Sequence, residues 1–203
     1  MFDSRVIVFA HGAGAPSRHP WMMAWRERLT AIGDVHTFDY PYMLAGSKRP
    51  DRQSVLIAAH IAAIDDACNK MQHKGKVVLA GKSMGSRIGC HGAGALPDRV
   101  AALICFGFPL GTGDKAELRA QCLLQLRSPI LFVQGTRDPL SPLDDLENVR
   151  RQMTAASTLF VVDGGDHSLQ VTKTALKQRN QTQADVDAEI FAAVSSFLRT
   201  HNA

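Results

Sequence analysis

Short runs of consecutive apolar residues alternate along this chain with longer stretches in which apolar residues recur every three or four positions. The runs at 5–10, 77–80, 101–106, 129–134 and 157–162 predict strands buried on both faces, and the mixed stretch 35–40 predicts a further strand ended by Pro41. The periodic stretches predict helices over 21–31, 52–71, 116–126 and 143–153, another after Ser83, and a last one from Thr182. In the second of these, Leu56, Ile57, Ala59, Ala63, Ile64 and Cys68 keep a single stripe. In the last, Val186, Ile190, Val194 and Phe197 share a face, and Thr182 with Asp185 three residues on is close to a capping box. Strand and helix taking turns, with continuous rather than alternating strand hydrophobicity, predict a mostly parallel sheet of about six strands covered by helices on both sides. That is a three-layer α/β/α sandwich. No internal repeat or low-complexity linker interrupts the pattern, so residues 1–203 are expected to form one domain.

Composition narrows the function classes. The chain has 203 residues, 45% of them apolar, which is enough for a substantial core. The formal charge is +4, but the basic residues are scattered, and only Lys48-Arg49-Pro50-Asp51-Arg52 clusters. Without a basic stripe carrying interleaved aromatics, nucleic acid is not an expected partner. Met1-Phe2-Asp3-Ser4-Arg5 leads into an apolar run too short for a signal peptide or a membrane span, so no membrane partner is expected either. Cys68, Cys90, Cys105 and Cys122 are widely spaced with no C-x-x-C pair, and read as reduced thiols of a cytoplasmic protein rather than a zinc site or disulfide framework.

The chemistry gathers around Gly81-Lys82-Ser83-Met84-Gly85, a G-x-S-x-G string between an apolar strand and a helical stretch. Such a turn is sharp enough to demand glycine two positions before and after the serine, and it leaves the hydroxyl exposed at the sheet's edge as a nucleophile. Gly-Lys-Ser also invites a phosphate-binding loop, but the glycine required five residues before Gly81 is replaced by Lys76, and the strand leaves no loop to wrap a phosphate. A serine nucleophile needs a base and an acid to orient that base, in the chain order Ser, Asp, His for this type of turn. Asp138 and His167 follow in that order, each just after a strand-like run. Asp163 and Asp166 compete for the acid's role but stand close in sequence to His167, and His11 is the strongest rival histidine. Two backbone N–H groups should bind the oxyanion, one from Met84 and one from the small-residue loop Gly12-Ala13-Gly14, with Ala13 the choice. Gly12-Ala13-Gly14 and Gly111-Thr112-Gly113 are only partial dinucleotide fingerprints, so no cofactor and no metal are expected.

With these motifs in view, the chain resembles the α/β-hydrolase superfamily over nearly its whole length. His-Gly-Ala-Gly near the start and Gly-Gly-Asp-His-Ser near the end are similar to the small, capless, dienelactone-hydrolase-like branch, which includes the testis-expressed-type hydrolase-like proteins. The resemblance implies a minimal form of the fold that lacks the customary first hairpin and the lid. Dienelactone hydrolases proper use a cysteine where this chain has Ser83, which points away from lactone chemistry. It implies a serine hydrolase of small carboxylic esters or thioesters, with a non-catalytic interaction module as the alternative. Only residues 109–128 separate two strands where a lid would be inserted. An open mouth is therefore expected, bordered by Gly12, Gly14, Trp21, Met22, Phe106, Phe108 and Leu110. Lys82, Arg137, Arg18 and His19 would give it a positive rim if they turn inward.

Overall fold

The computed structural model describes residues 5–203; residues 1–4, part of the opening segment read above, lie outside the described residues. Each predicted strand forms: β1 (Val6–Ala10), β2 (Asp34–Phe38), β3 (Val77–Lys82), β4 (Val100–Phe106), β5 (Ile130–Gly135) and β6 (Ser157–Val162). Every neighbouring pair is parallel, in the order β2-β1-β3-β4-β5-β6. The helices between and after them are α1 (Pro20–Leu29), α2 (Pro41–Leu44), α3 (Gln53–Lys70), α4 (Met84–Ala95), α5 (Asp114–Leu124), α6 (Leu143–Arg150), α7 (Lys173–Gln178) and α8 (Gln183–Thr200).

The period-two alternation of strand side chains divides the core in two. Val6 and Val8 of β1, Leu79 of β3 and Phe132 of β5 pack with Ile64, Cys90, Leu123 and Leu146 from α3, α4, α5 and α6. Ile7, Phe9, Val78 and Ile104 face the other way, against Trp25 and Leu29 of α1 and Ile190 and Val194 of α8. The sheet is thus covered on both faces, the predicted three layers. The α8 face also buries Val186, Phe197 and Leu198, and each such side chain stabilises the fold by roughly 1.5–3 kcal/mol. Thr182 and Asp185 complete a capping box that starts this helix, the Thr182 hydroxyl accepting from the Asp185 N–H and the Asp185 carboxylate from the Thr182 N–H.

Where the structure departs from the periodicity, a local cause is visible. β2 stops at Phe38, because Tyr40 and Pro41 open a four-residue helix rather than ending a strand. Proline belongs at a first helical position, where its missing N–H would have had no acceptor. α7 is a second short helix absent from the sequence reading, started by the Thr182-like cap Thr172, whose hydroxyl accepts from the Ala175 N–H. β3 runs on through Gly81 and Lys82, so strand meets helix with Ser83 alone between them. The loops after β1, β3, β5 and β6 all leave the same carboxyl edge of the sheet, the edge at which open α/β sheets place their ligands.

Candidate active site

Ser83 is both the whole connection between β3 and α4 and the N-cap of the helix, with φ 52° and ψ −116°. Its N–H donates to the Phe106 carbonyl at 2.9 Å, tying the turn to β4. The flanking glycines are sterically required. A Cβ on Gly85 would stand 2.5 Å from the Ala10 carbonyl oxygen and 2.6 Å from that of His11, and one on Gly81 would collide with the backbone of Gly85 and Ser86. The Ser86 hydroxyl donates to the Ser83 carbonyl at 2.6 Å and braces the first turn.

A continuous hydrogen-bond chain runs from this serine into the protein. Ser83 Oγ lies 2.8 Å from His167 Nε2, and His167 Nδ1 lies 2.7 Å from Asp138 Oδ2. Donation from Nδ1–H to the carboxylate leaves the Nε2 lone pair for the serine O–H. The Asp138 side chain is fully buried, so its charge depends on donors. Besides His167 it accepts from Gln134 Nε2 at 2.5 Å and from the Leu140 N–H at 2.9 Å. Gln134 is itself buried, and its carbonyl oxygen accepts from the Phe108 N–H at 3.0 Å. The competing acids are engaged elsewhere. Asp163 pairs with Arg179, and Asp166 Oδ1 accepts from the Ser168 and Gln170 N–H groups, shaping the loop that carries His167.

The loop after β1 is braced through its carbonyls. His11, fully buried, bonds the Gly12 oxygen through Nδ1 at 2.7 Å and accepts from the Tyr40 N–H through Nε2 at 3.1 Å. Burial pulls its pKa below the usual histidine value, against the opposing pull of the Gly12 carbonyl and Asp39. The imidazole is spent on the loop and is not free to serve as base. Tyr42 Oη donates to the Ala13 oxygen at 2.9 Å. Among the described residues the N–H groups of Ala13 and Met84 have no acceptor. Ser83 and His167 open on a cavity of about 400 Å³ that Gly12, Ala13 and Gly14 border on one side and Trp21, Met22 and Leu140 on the other.

A profile of the family described as alpha/beta hydrolase domain matches residues 3–198. The chain belongs to the α/β-hydrolase family. Among solved structures it is similar to a dienelactone hydrolase from Anabaena variabilis, at 20% identity and a TM-score of 0.74 over 98% of this chain and 87% of that one. It is also similar to Est1E from Butyrivibrio proteoclasticus, at 17% identity and a TM-score of 0.71 over 98% and 88%. A monoacylglycerol lipase from Paleococcus ferrophilus matches at 15% identity and a TM-score of 0.69, over 98% and 97%. These likenesses are of fold: the backbone is the α/β-hydrolase one that the sequence motifs implied.

Within this α/β-hydrolase domain the cavity walls differ from those expected. Phe106, Phe108 and Leu110 do not border the mouth; all three are fully buried. Phe106 ends β4 facing inward, its ring against Phe9, Trp21 and Trp25. Phe108 packs edge-on to Phe132 at 5.8 Å, and Leu110 joins the same core. Leu140, two residues after Asp138, supplies the apolar wall instead. Of the basic residues, Arg18 and Arg137 are exposed and take no part in the lining, whereas Lys82 and His19 do. The Lys82 Nζ donates to the His167 carbonyl and stands 5.6 Å from the centre of the Trp21 ring. Burial pulls its pKa down to about 8, against the attraction of Asp138 and Asp166. Among the described residues no group of three or more His, Cys, Asp or Glu side chains could hold a metal ion, and no helix is long and apolar enough to cross a membrane.

Proposed function

We propose that this chain is a serine hydrolase that cleaves small carboxylic esters or thioesters through an acyl-enzyme on Ser83. The observation that carries the reading is the unbroken chain Ser83 Oγ, His167, Asp138, opening on a cavity beside two amides without acceptors. His167 Nε2 takes the serine proton as Oγ attacks the substrate carbonyl, and Asp138 steadies the imidazolium that results. The negative charge that develops on the carbonyl oxygen is met by the Ala13 and Met84 N–H groups. Collapse of the tetrahedral adduct expels the alcohol or thiol, which leaves with the proton held by His167. A water molecule then gives its proton to His167, attacks the acyl-serine and releases the acid, restoring the Ser83 hydroxyl.

A dienelactone hydrolase and a monoacylglycerol lipase among the structural likenesses support hydrolysis of an ester-type bond. The open cavity, walled by Trp21, Met22 and Leu140, suits short acyl chains. Four free cysteines, three of them buried, fit a reducing cytoplasm. A fluorophosphonate probe tests the central assignment. Its mass should appear on the peptide that contains Ser83 and vanish in Ser83→Ala. A wild-type protein that stays unlabelled beside a labelled control hydrolase would instead favour a non-catalytic interaction module.

A further inference from the structure

We propose that Lys82 binds a carboxylate on the substrate, so that the cavity selects small esters or thioesters that carry a negative charge. This inference rests on the hydrolase reading above and names the substrate class of the same site.

Lys82 is the last residue of β3, directly before the nucleophile, and it lines the cavity that Ser83 and His167 share. Only 9% of the residue is exposed. An ammonium offers three N–H donors, and here it meets one backbone carbonyl, that of His167, and the face of Trp21. Neither partner carries a full negative charge. Among the described residues no carboxylate pairs with this nitrogen. The nearest candidates are committed: Asp138 to Gln134, Leu140 and His167, and Asp166 to the Ser168 and Gln170 amides. A cation withdrawn from water with no carboxylate in direct contact is unfavourable; the attraction of Asp138 and Asp166 offsets part of that penalty, and an arriving anion would offset more. At neutral pH the amine remains largely protonated, since burial takes its pKa only to about 8. One point charge beside apolar walls matches a monoanionic carboxylate; a phosphate dianion calls for a denser set of donors. The competing role is mechanical: Lys82 could serve only to pin the peptide of His167.

Two esters of similar length separate these roles: 4-nitrophenyl hydrogen succinate, which carries a carboxylate, and 4-nitrophenyl butyrate, which does not. The wild-type protein should favour the succinate ester in kcat/KM. Lys82→Met, which keeps the stem and loses the charge, should lower that preference by roughly 30-fold or more. Equal or reversed preference in the wild type overturns the proposal without any variant. So does a Lys82→Met protein that loses both activities in the same proportion, the outcome of a pinning role. Calorimetric titration of Ser83→Ala with monomethyl succinate reads binding apart from turnover. Binding that disappears in Ser83→Ala/Lys82→Met supports the carboxylate site even where no ester is cleaved, an outcome that overturns only the hydrolase reading. Hydrolysis of the neutral ester with no binding of monomethyl succinate overturns the carboxylate site alone.

Discussion

Two clefts of nearly equal size lie near helix α4, one at its N-cap and one along its side. One holds Ser83 and His167 and measures about 400 Å³; the other lies between α4 and α5, measures about 390 Å³, and is lined by Arg87, His91, Arg119, Cys122 and three glutamines. Volume does not tell them apart. In the second cleft each arginine satisfies an oxygen close by: Arg87 donates to Gln53 Oε1 at 2.6 Å, and Arg119 to the Pro109 carbonyl at 2.9 Å. The Cys122 thiol donates to the Arg119 carbonyl, and among the described residues no carboxylate, imidazole and hydroxyl bond in series there. In the first, a buried carboxylate, an imidazole and a hydroxyl bond one another in series. Chemistry follows that connectivity, since a base matters only where it touches the proton it must take.

The sharpest way to break the contrast is to disable one residue on each side. Ser83→Ala should reduce ester turnover by about 10⁴–10⁶. Arg87→Ala, one helical turn further along α4 in the other cleft, should change it by less than about threefold. Comparable losses in kcat/KM from both would erase the distinction.

A smaller effect reaches both clefts at once. His60 of α3 packs against Gly89 of α4, its Nδ1 is 3.0 Å from the Tyr40 hydroxyl, and its Nε2 has no partner among the described residues. Complete burial takes its pKa down to about 4. In the unfolded chain it titrates near about 6.5, so as pH falls the unfolded state takes up the proton first. Stability is therefore intact above about 6.5 and is lost as pH drops toward 4, by roughly 3 kcal/mol for this group. Denaturant melts across that window should show the slope in the wild type and a reduced one in His60→Gln. Equal slopes would remove His60 from the account.

The smallest change sharpens the series bonding itself. Gln134→Leu removes one donor from Asp138 and leaves the Phe108 N–H unpaired. A misaligned Asp138 should lower kcat by about 10- to 100-fold with KM little altered. A KM effect with kcat intact would show that Gln134 shapes the cavity rather than the acid.

Much of this was legible in the chain because the relevant signals are local. Apolar runs marked five of the six strands, β2 being mixed in sequence, and glycine spacing marked the turn at Ser83. Asp138 and His167 were recognisable from their places after strands, and the structure brings both to Ser83. α2 and α7 escaped notice because four and six residues show too few turns to reveal a period. Gln134 and Tyr42 were missed for a different reason: their bonds to Phe108 and Ala13 span 26 and 29 residues, and no spacing rule reports such contacts. Gln134 did leave a trace, as the polar residue in an otherwise apolar run at 129–134. The absence of a lid says nothing about which way the aromatics near the end of β4 point; side-chain alternation turns Phe106 inward, toward Phe9.

The backbone of Ser83 has a consequence for the protein's durability. At φ 52° and ψ −116° an L-residue is conformationally strained, typically by about 1–3 kcal/mol, whereas glycine occupies positive φ readily. Ser83→Gly would relax the turn and remove the proposed nucleophile in one step. Thermal tolerance and reactivity are therefore opposed at a single peptide unit. A screen for heat resistance that ignored catalysis would favour Ser83→Gly, and would return a sturdier fold without the Ser83 hydroxyl.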